Sequence, residues 1–166
     1  MCGIVGFVND KDNKKTIINT MMDRIVHRGP NSSGEYIDKH VALGFRRLSI
    51  IDLEGGTQPI YNEDRTKIII FNGEIYNYQP LREELIAAGH VFQTHADTEV
   101  LLHGYEEWGT ELLQKIRGMF AFAIWDNEKN ELFGARDHFG IKPLYYTQMN
   151  GTFMYGFRNQ KFFASS

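Results

Sequence analysis

Two short apolar runs set the strongest limit on how this chain can fold. Residues 4–8 read Ile-Val-Gly-Phe-Val, and residues 67–71 read Lys-Ile-Ile-Ile-Phe. Each is too short for a helix and is apolar at consecutive positions, where a half-exposed strand would alternate. The first is read as a buried strand and the second, rich in β-branched residues, as a central one. Residues 16–26 instead carry Ile17, Ile18, Met21, Met22 and Ile25 at helical spacing and stop at His27-Arg28-Gly29-Pro30. Residues 34–36 and 41–45 suit a strand pair turning near Asp38-Lys39. Asn77 is placed to cap a helix through Leu81 and Leu85 that Gly89 stops. Asp97 is placed to cap a second, with Val100, Leu101, Leu102 and Tyr105 inward and Gly109 just past its end. Strands return at residues 119–126 and 131–135. They return again at 144–148 and 152–155, around the hairpin signal Asn150-Gly151. Sheet segments at both ends with helices between predict an α+β sandwich of layers.

Composition narrows the function classes. No repeat or low-complexity linker divides the 166 residues, so one domain is expected. The net charge of -3 is spread over interspersed acids and bases. With no basic stripe, nucleic acid is set aside as a partner. A single cysteine excludes an internal disulfide, and no Cys/His spacing suits zinc, so no metal is expected. The run at residues 4–8 is too short for a signal peptide, and polar residues 9–15 follow it at once. No run approaches the ~20 residues of a membrane span. A soluble, cytoplasmic protein is expected. His27, His90, His95, His103 and His138 are read as structural or surface residues, with His138 the first to check. Tyr145, Tyr146, Phe153 and Tyr155 are read as core and hairpin packing.

Cys2 directly follows the initiator Met, and removal of Met1 would leave a thiol and a free α-amine on one residue. An α-amine titrates at about 7.7–8.0 and a thiol near about 8.5, so the amine can act as general base without a histidine. A lone cysteine near a terminus is more often only a small buried residue. The surrounding motifs reverse that reading.

Met1-Cys2-Gly3-Ile4-Val5-Gly6 resembles the start of the class II glutamine amidotransferases, which are N-terminal-nucleophile hydrolases. In order follow His27-Arg28-Gly29-Pro30, Arg47-Leu48-Ser49-Ile50-Ile51-Asp52, Gln58-Pro59, Asn72-Gly73-Glu74-Ile75-Tyr76-Asn77 and Asp97-Thr98-Glu99. Gly118-Met119-Phe120-Ala121-Phe122 and Arg136-Asp137 through Pro143-Leu144-Tyr145 complete the set. The Arg-Leu-Ser-Ile-Ile-Asp segment and the Gln-Pro after it look like the asparagine synthetase branch. The resemblance implies a four-layer αββα sandwich lacking its C-terminal closing elements. It also implies a glutaminase half-reaction, in which Cys2 attacks the glutamine amide, releasing ammonia and then glutamate. Asn72 and the Gly73 backbone N–H would hold the oxyanion, and Gly73 would let the backbone approach the substrate. Asn-Gly is also an ordinary turn pair after a strand. Arg47 would bind the α-carboxylate, with Arg46 on the opposite face and one of the two solvated. Backbone groups of Leu48, Ser49, Ile50 and Ile51 would line the pocket. Asp97, beside Glu74, would bind the α-ammonium, although Asp before Thr-Glu also suits a helix N-cap.

The chain departs from the asparagine synthetase pattern in two ways. It has neither a Ser-Gly-Gly-x-Asp-Ser loop nor a Gly-x-x-x-x-Gly-Lys loop. ATP and Mg would therefore belong to a missing synthetase domain, and no cofactor is expected in this one. Residues 1–156 are read as an amidotransferase type 2 domain, incomplete at its C-terminus. Residues 157–166 are read as an atypical tail of the kind a frameshift after Gly156 would leave. The expected partners are glutamine and either a synthetase domain or a second copy of the chain. The alternative reading is a truncated, non-catalytic remnant that at most binds glutamine.

Overall fold

The apolar runs fold as strands buried on both faces, in a computed structural model that describes residues 2–10, 12–48 and 57–157. Ser49, Ile50, Ile51 and residues 158–166 lie outside the described residues. The elements are β1 (Gly3–Val8), α1 (Lys14–Arg24), a 3-10 turn (Val26–Arg28), β2 (Ser32–Ile37), β3 (Val41–Arg47), β4 (Ile60–Tyr61) and β5 (Lys67–Ile75). There follow α2 (Tyr78–Ala87), α3 (Asp97–Trp108), a 3-10 turn (Gly109–Glu111) leading into α4 (Leu112–Lys115), β6 (Gly118–Asp126), β7 (Glu131–Arg136), β8 (Tyr145–Met149) and β9 (Thr152–Gly156). The strands form two antiparallel sheets, ordered β2-β3-β1-β9-β8 and β4-β5-β6-β7. The α+β layering expected from the sequence is present.

Alternation along each strand assigns its side chains to separate layers. Ile68 and Ile70 of β5, with Ala121, Ala123 and Trp125 of β6, meet Ile4, Val41, Leu43 and Phe45 of the other sheet. The intervening Ile69 and Phe71, with Phe120, Phe122 and Ile124, face Leu81 and Leu85 of α2 and Val100, Leu101 and Tyr105 of α3. On the far side, Val5, Phe7 and Ala42 pack against Ile18, Met21 and Met22 of α1. The order is helix, sheet, sheet, helix. Consecutive apolar residues were needed because both faces of each central strand are covered.

Local chemistry fixes the ends. Asn150 and Gly151 take φ of 50° and 75°, the paired left-handed conformation of a tight hairpin turn. Gly109 ends α3 at φ 56°. Asn77 does not cap α2 with its side chain. Its amide instead donates to the Lys115 carbonyl at 2.9 Å and accepts from the Arg117 N–H at 2.8 Å, tying the end of β5 to the start of β6. Tyr155 is core and Phe153 packs beside it, whereas Tyr145 and Tyr146 are exposed. Gly6 is required by close packing, because a Cβ there would overlap the Tyr155 ring.

Ile70 is fully buried between the sheets. Ile70→Ala should cost roughly 2–5 kcal/mol. The half-exposed Ile86→Ala should stay within about 0.5 kcal/mol. Urea midpoints of the two variants give the comparison.

Candidate active site

One end of both sheets opens into a cavity of about 450 Å³ lined by Cys2, Arg47, Asn72, Gly73, Glu74 and Asp97. The topology explains the convergence. Gly3 of β1 pairs with Arg46 of β3, which sets Cys2 beside Arg47. Asn72 to Glu74 occupy the last turns of β5 in the facing sheet. Asp97 opens α3, and its carboxylate accepts the Ile75 N–H at 2.9 Å. Cys2 is partly buried and packs on the inter-sheet core. A larger cleft, about 560 Å³, lies beside Asp10, Lys15, Glu35 and Lys39, and no thiol is among the residues that line it.

Asn72 and Gly73 do not form a turn: they sit inside β5, opposite Ala121 and Phe120. Asn72 is 4% exposed, and its side-chain Nδ2 has no hydrogen-bond partner among the described residues. A buried unmatched donor costs about 1–3 kcal/mol. Fold stability therefore does not explain it, whereas an acceptor arriving in the cavity would. Gly73 is demanded by the fold, since a Cβ there would overlap the Met119 carbonyl and crowd Phe120. Gln58 holds the preceding residue, its Oε1 accepting the Phe71 N–H at 2.6 Å.

Asp97 and Arg47 give the cavity two opposite charges. Burial pushes the Asp97 carboxyl up from its ordinary range; hydrogen bonds from the Ile75 and Thr98 N–H groups oppose this, and nearby Glu74 adds to it. Asp97 is not the N-cap, a position held by Ala96 without any side-chain bond. A cation beside Asp97 would relieve its burial. Arg47 is 9% exposed at the end of β3. Arg46 does project to the opposite face, yet it is not simply solvated. Its Nε donates to the Met22 carbonyl at 3.2 Å and its Nη2 to Asp23 at 2.7 Å, docking it on α1. A Cβ on Gly29 would overlap the Arg46–Arg47 backbone, so that glycine lets the loop after α1 brace this site.

Two structured loops complete the walls. Asp137 accepts N–H groups from Phe120, Phe139, Ile141 and Lys142 at 2.9–3.1 Å. Burial would raise its carboxyl, but the donors, Lys142 first, hold it below the ordinary range. The loop presents Lys142, 5% exposed, to the cavity. Glu99 likewise accepts the Gln93 and Thr94 N–H groups, each at 2.7 Å, fixing the segment that carries His95 and Ala96 to the cavity edge. Lys142, His95, Tyr78 and Gln58 are lining residues the sequence reading did not assign to the pocket. Lys142 and Gln58 stood within its quoted motifs, which was the available signal. His138 is exposed and lies instead by a separate hollow with Phe139 and Ile116. Leu48 is half-buried and not among the described lining residues, while Ser49, Ile50 and Ile51 are outside them. Away from this cavity, His90, His103 and Glu106 lie within metal-ligating reach of one another, which their spacing had not suggested.

The sequence matches the glutamine amidotransferase domain family over residues 1–166. It is 54% identical to glutamine-hydrolyzing asparagine synthetase 1 of Bacillus subtilis over 170 residues, covering 99% of this chain and 26% of that protein. It is 44% identical to glutamine-hydrolyzing asparagine synthetase B of Escherichia coli over 150 residues, covering 87% of this chain and 26% of that one. The chain thus spans about a quarter of the length of these curated relatives. The structure is similar to the glutamine phosphoribosylpyrophosphate amidotransferase of B. subtilis, with a TM-score of 0.76 at 21% identity over 93% of this chain and 41% of that chain. That likeness shows the fold, the N-terminal-nucleophile hydrolase sandwich. No described helix is long and apolar enough to cross a membrane.

The clamp behind Asp97 gives a pH signature. Burial alone would lower the His103 pKa, but the hydrogen bond to Glu106 and the Glu99 carboxylate 3.6 Å from Nε2 outweigh it and raise the value to about 9, against an ordinary 6.5. The native state thus holds this proton more tightly than the unfolded chain. The stability His103 supplies is complete below pH 6.5 and is lost as pH rises through about 9. Burial would raise Glu99, but the nearby His103 ring and donors from Thr94 and Gln93 hold it at about 2, against 4.5. Its contribution is present above pH 4.5 and lost as pH falls toward 2. With chelator present, urea midpoints measured above pH 6.5 should fall with rising pH in the parent chain and fall less steeply in His103→Gln. Equal alkaline slopes would contradict the clamp.

Proposed function

The chain belongs to the glutamine amidotransferase domain family, and from that premise we propose that it performs the glutaminase half-reaction of an asparagine synthetase. The buried, unmatched Nδ2 of Asn72 in the cavity of Cys2 is the observation that carries the reading. Removal of Met1 exposes the Cys2 α-amine. That amine takes the thiol proton as Sγ attacks the side-chain carbonyl carbon of glutamine. The carbonyl oxygen gains negative charge and accepts from Asn72 Nδ2 and the Gly73 N–H. Collapse breaks the C–N bond, the proton held on the amine goes to the departing nitrogen, and ammonia leaves a γ-glutamyl thioester. The same amine then draws a proton from water, which attacks the thioester and releases glutamate and the thiol.

Binding at the far end of the substrate follows from the two charges. Arg47 presents a planar, permanently charged fork to the α-carboxylate. Asp97 receives the α-ammonium, which replaces solvation its carboxylate lacks. Distinct groups at each end of the cavity favour a free amino acid over a peptide-bound glutamine, whose α-groups are amides. The ammonia is destined for aspartate in a synthetase domain, where ATP and Mg would act. The names of the similar synthetases support that assignment.

Intact mass before and after 6-diazo-5-oxo-norleucine tests the assembled site. A chain lacking Met1 should gain one adduct that Cys2→Ala does not form; an unreactive chain would leave binding without turnover as its function. In ammonia-release assays, Asn72→Ala should lower kcat by about 10²–10³ with a smaller change in KM. Asp97→Asn should act chiefly on KM.

A further inference from the structure

We propose that His90, His103 and Glu106 form a binding site for one divalent transition-metal ion, zinc by its ligand chemistry, that fastens the loop before α3 to that helix. Their potential ligand atoms lie within 4.8 Å of one another. Nδ1 of both imidazoles points to the same oxygen, Glu106 Oε2, at 2.7 Å from His103 and 3.8 Å from His90. Ligand atoms around a tetrahedral zinc stand roughly 3.3 Å apart. Shifts on the order of 1 Å would admit the ion.

The outer partners strengthen the assignment, because metal-ligating histidines usually donate their second N–H to a carboxylate. His90 Nε2 lies 3.1 Å from Glu107 Oε2. His103 Nε2 faces Glu99 Oε1 at 3.6 Å. The other oxygen of Glu106 accepts Asn62 Nδ2 at 2.7 Å. Each prospective ligand is thus held from behind by a different group. The ring of His103 is 1% exposed, and its Nε2 makes no hydrogen bond among the described residues. An ion on Nδ1 fixes the proton on Nε2 and aims it at Glu99. An imidazolium between Glu106 and Glu99 would account for His103, but not for the convergence of His90 on the same oxygen. His90 and Glu106 are only partly buried, with side chains 16% and 17% exposed, which leaves the ion a way in. Two neutral imidazoles and a carboxylate suit zinc and leave a fourth position for water.

The chain spacing fits a staple. His103 and Glu106 stand one turn apart on α3, and His90 lies just past α2, where its N–H donates to the Leu85 carbonyl at 3.0 Å. The bridged segment includes His95 and Ala96, which line the glutamine cavity. This site does not depend on the proposed glutaminase chemistry.

The test uses the full-length, untagged Cys2→Ala chain, so that no thiol competes for metal, stripped with chelator and titrated with Co²⁺. One equivalent should produce a visible d–d band, and one equivalent of Zn²⁺ should abolish it and raise Tm. His90→Ala should remove the band while circular dichroism shows a folded chain. The exposed Glu107→Gln, which leaves all three ligands in place, should weaken binding roughly 10–100-fold. His138→Ala, far from the site, should bind as the parent does. Absence of a band at one equivalent, or a band and Zn²⁺ affinity unchanged in both His90→Ala and Glu107→Gln, overturns the proposal.

Discussion

Everything at the Cys2 end of the molecule depends on the apolar contact between the two sheets. Cys2 and Arg47 belong to one sheet, whereas Asn72, Gly73 and Glu74 belong to the other. The apolar packing behind these two groups sets their separation. Ala121 and Ala123 are the small residues of β6 that lie between the sheets, beside the branched side chains of Ile68 and Ile70. Trp125 fills the same layer farther along, its indole N–H satisfied by Asp38 at 2.7 Å. Close-packed interiors do not yield gradually. A volume change in this layer would move Cys2 relative to Asn72 and Gly73, and in the proposed reaction shifts of about 1 Å can cost about 10²-fold in rate.

Buried polar groups separate into those the fold satisfies and those it leaves waiting. Asp137 collects four backbone donors and Glu99 collects donors from Gln93, Thr94 and its pair with His103; both carboxyls are held below their ordinary range. Such groups organise loops. The backbone N–H groups around Asp97 do not offset its burial, and its carboxyl is pushed upward. Asn72 Nδ2 has no partner among the described residues. Two under-satisfied groups in one cavity, one calling for a cation and the other for an anion, fit a zwitterionic amino acid whose amide oxygen becomes charged in the reaction.

The sequence exposed what periodicity and turn chemistry control. The double-sided burial of β1 and β5, the hairpin at Asn150-Gly151, the helix ending at Gly109 and the helix with Ile18, Met21 and Met22 inward were all legible. Motif order grouped Cys2, Arg47, Asn72, Gly73, Glu74 and Asp97, and the fold brings them to one cavity. What failed were assignments of a polar side chain to its nearest local job. Asn77 and Asp97 stand where caps are expected, but each bonds across the fold, to residues 38 or 40 and 22 positions away. Arg46 follows strand alternation as predicted, yet lands on α1 instead of in water. Gly73 reads as permission for a substrate to approach, although its absent Cβ is already required by β6. A linear pattern records which face a residue takes, not what the tertiary structure has placed there.

The helix α3 shows why such long-range partners matter for function. Its first residue, Asp97, enters the cavity; two residues later Glu99 holds the preceding loop; one turn on, His103 and Glu106 meet His90 from that loop's far end. Its apolar stripe, Val100, Leu101 and Tyr105, locks the same helix onto the outer face of β5 and β6. The Ile75 N–H that Asp97 accepts belongs to the strand bearing Asn72. Helix, loop and strand therefore share one rigid frame, and the under-satisfied carboxylate is held by groups several residues from the chemistry. A side chain that must remain ionised where burial opposes ionisation cannot be left free to rotate toward solvent. The polar clamp along α3 supplies that restraint.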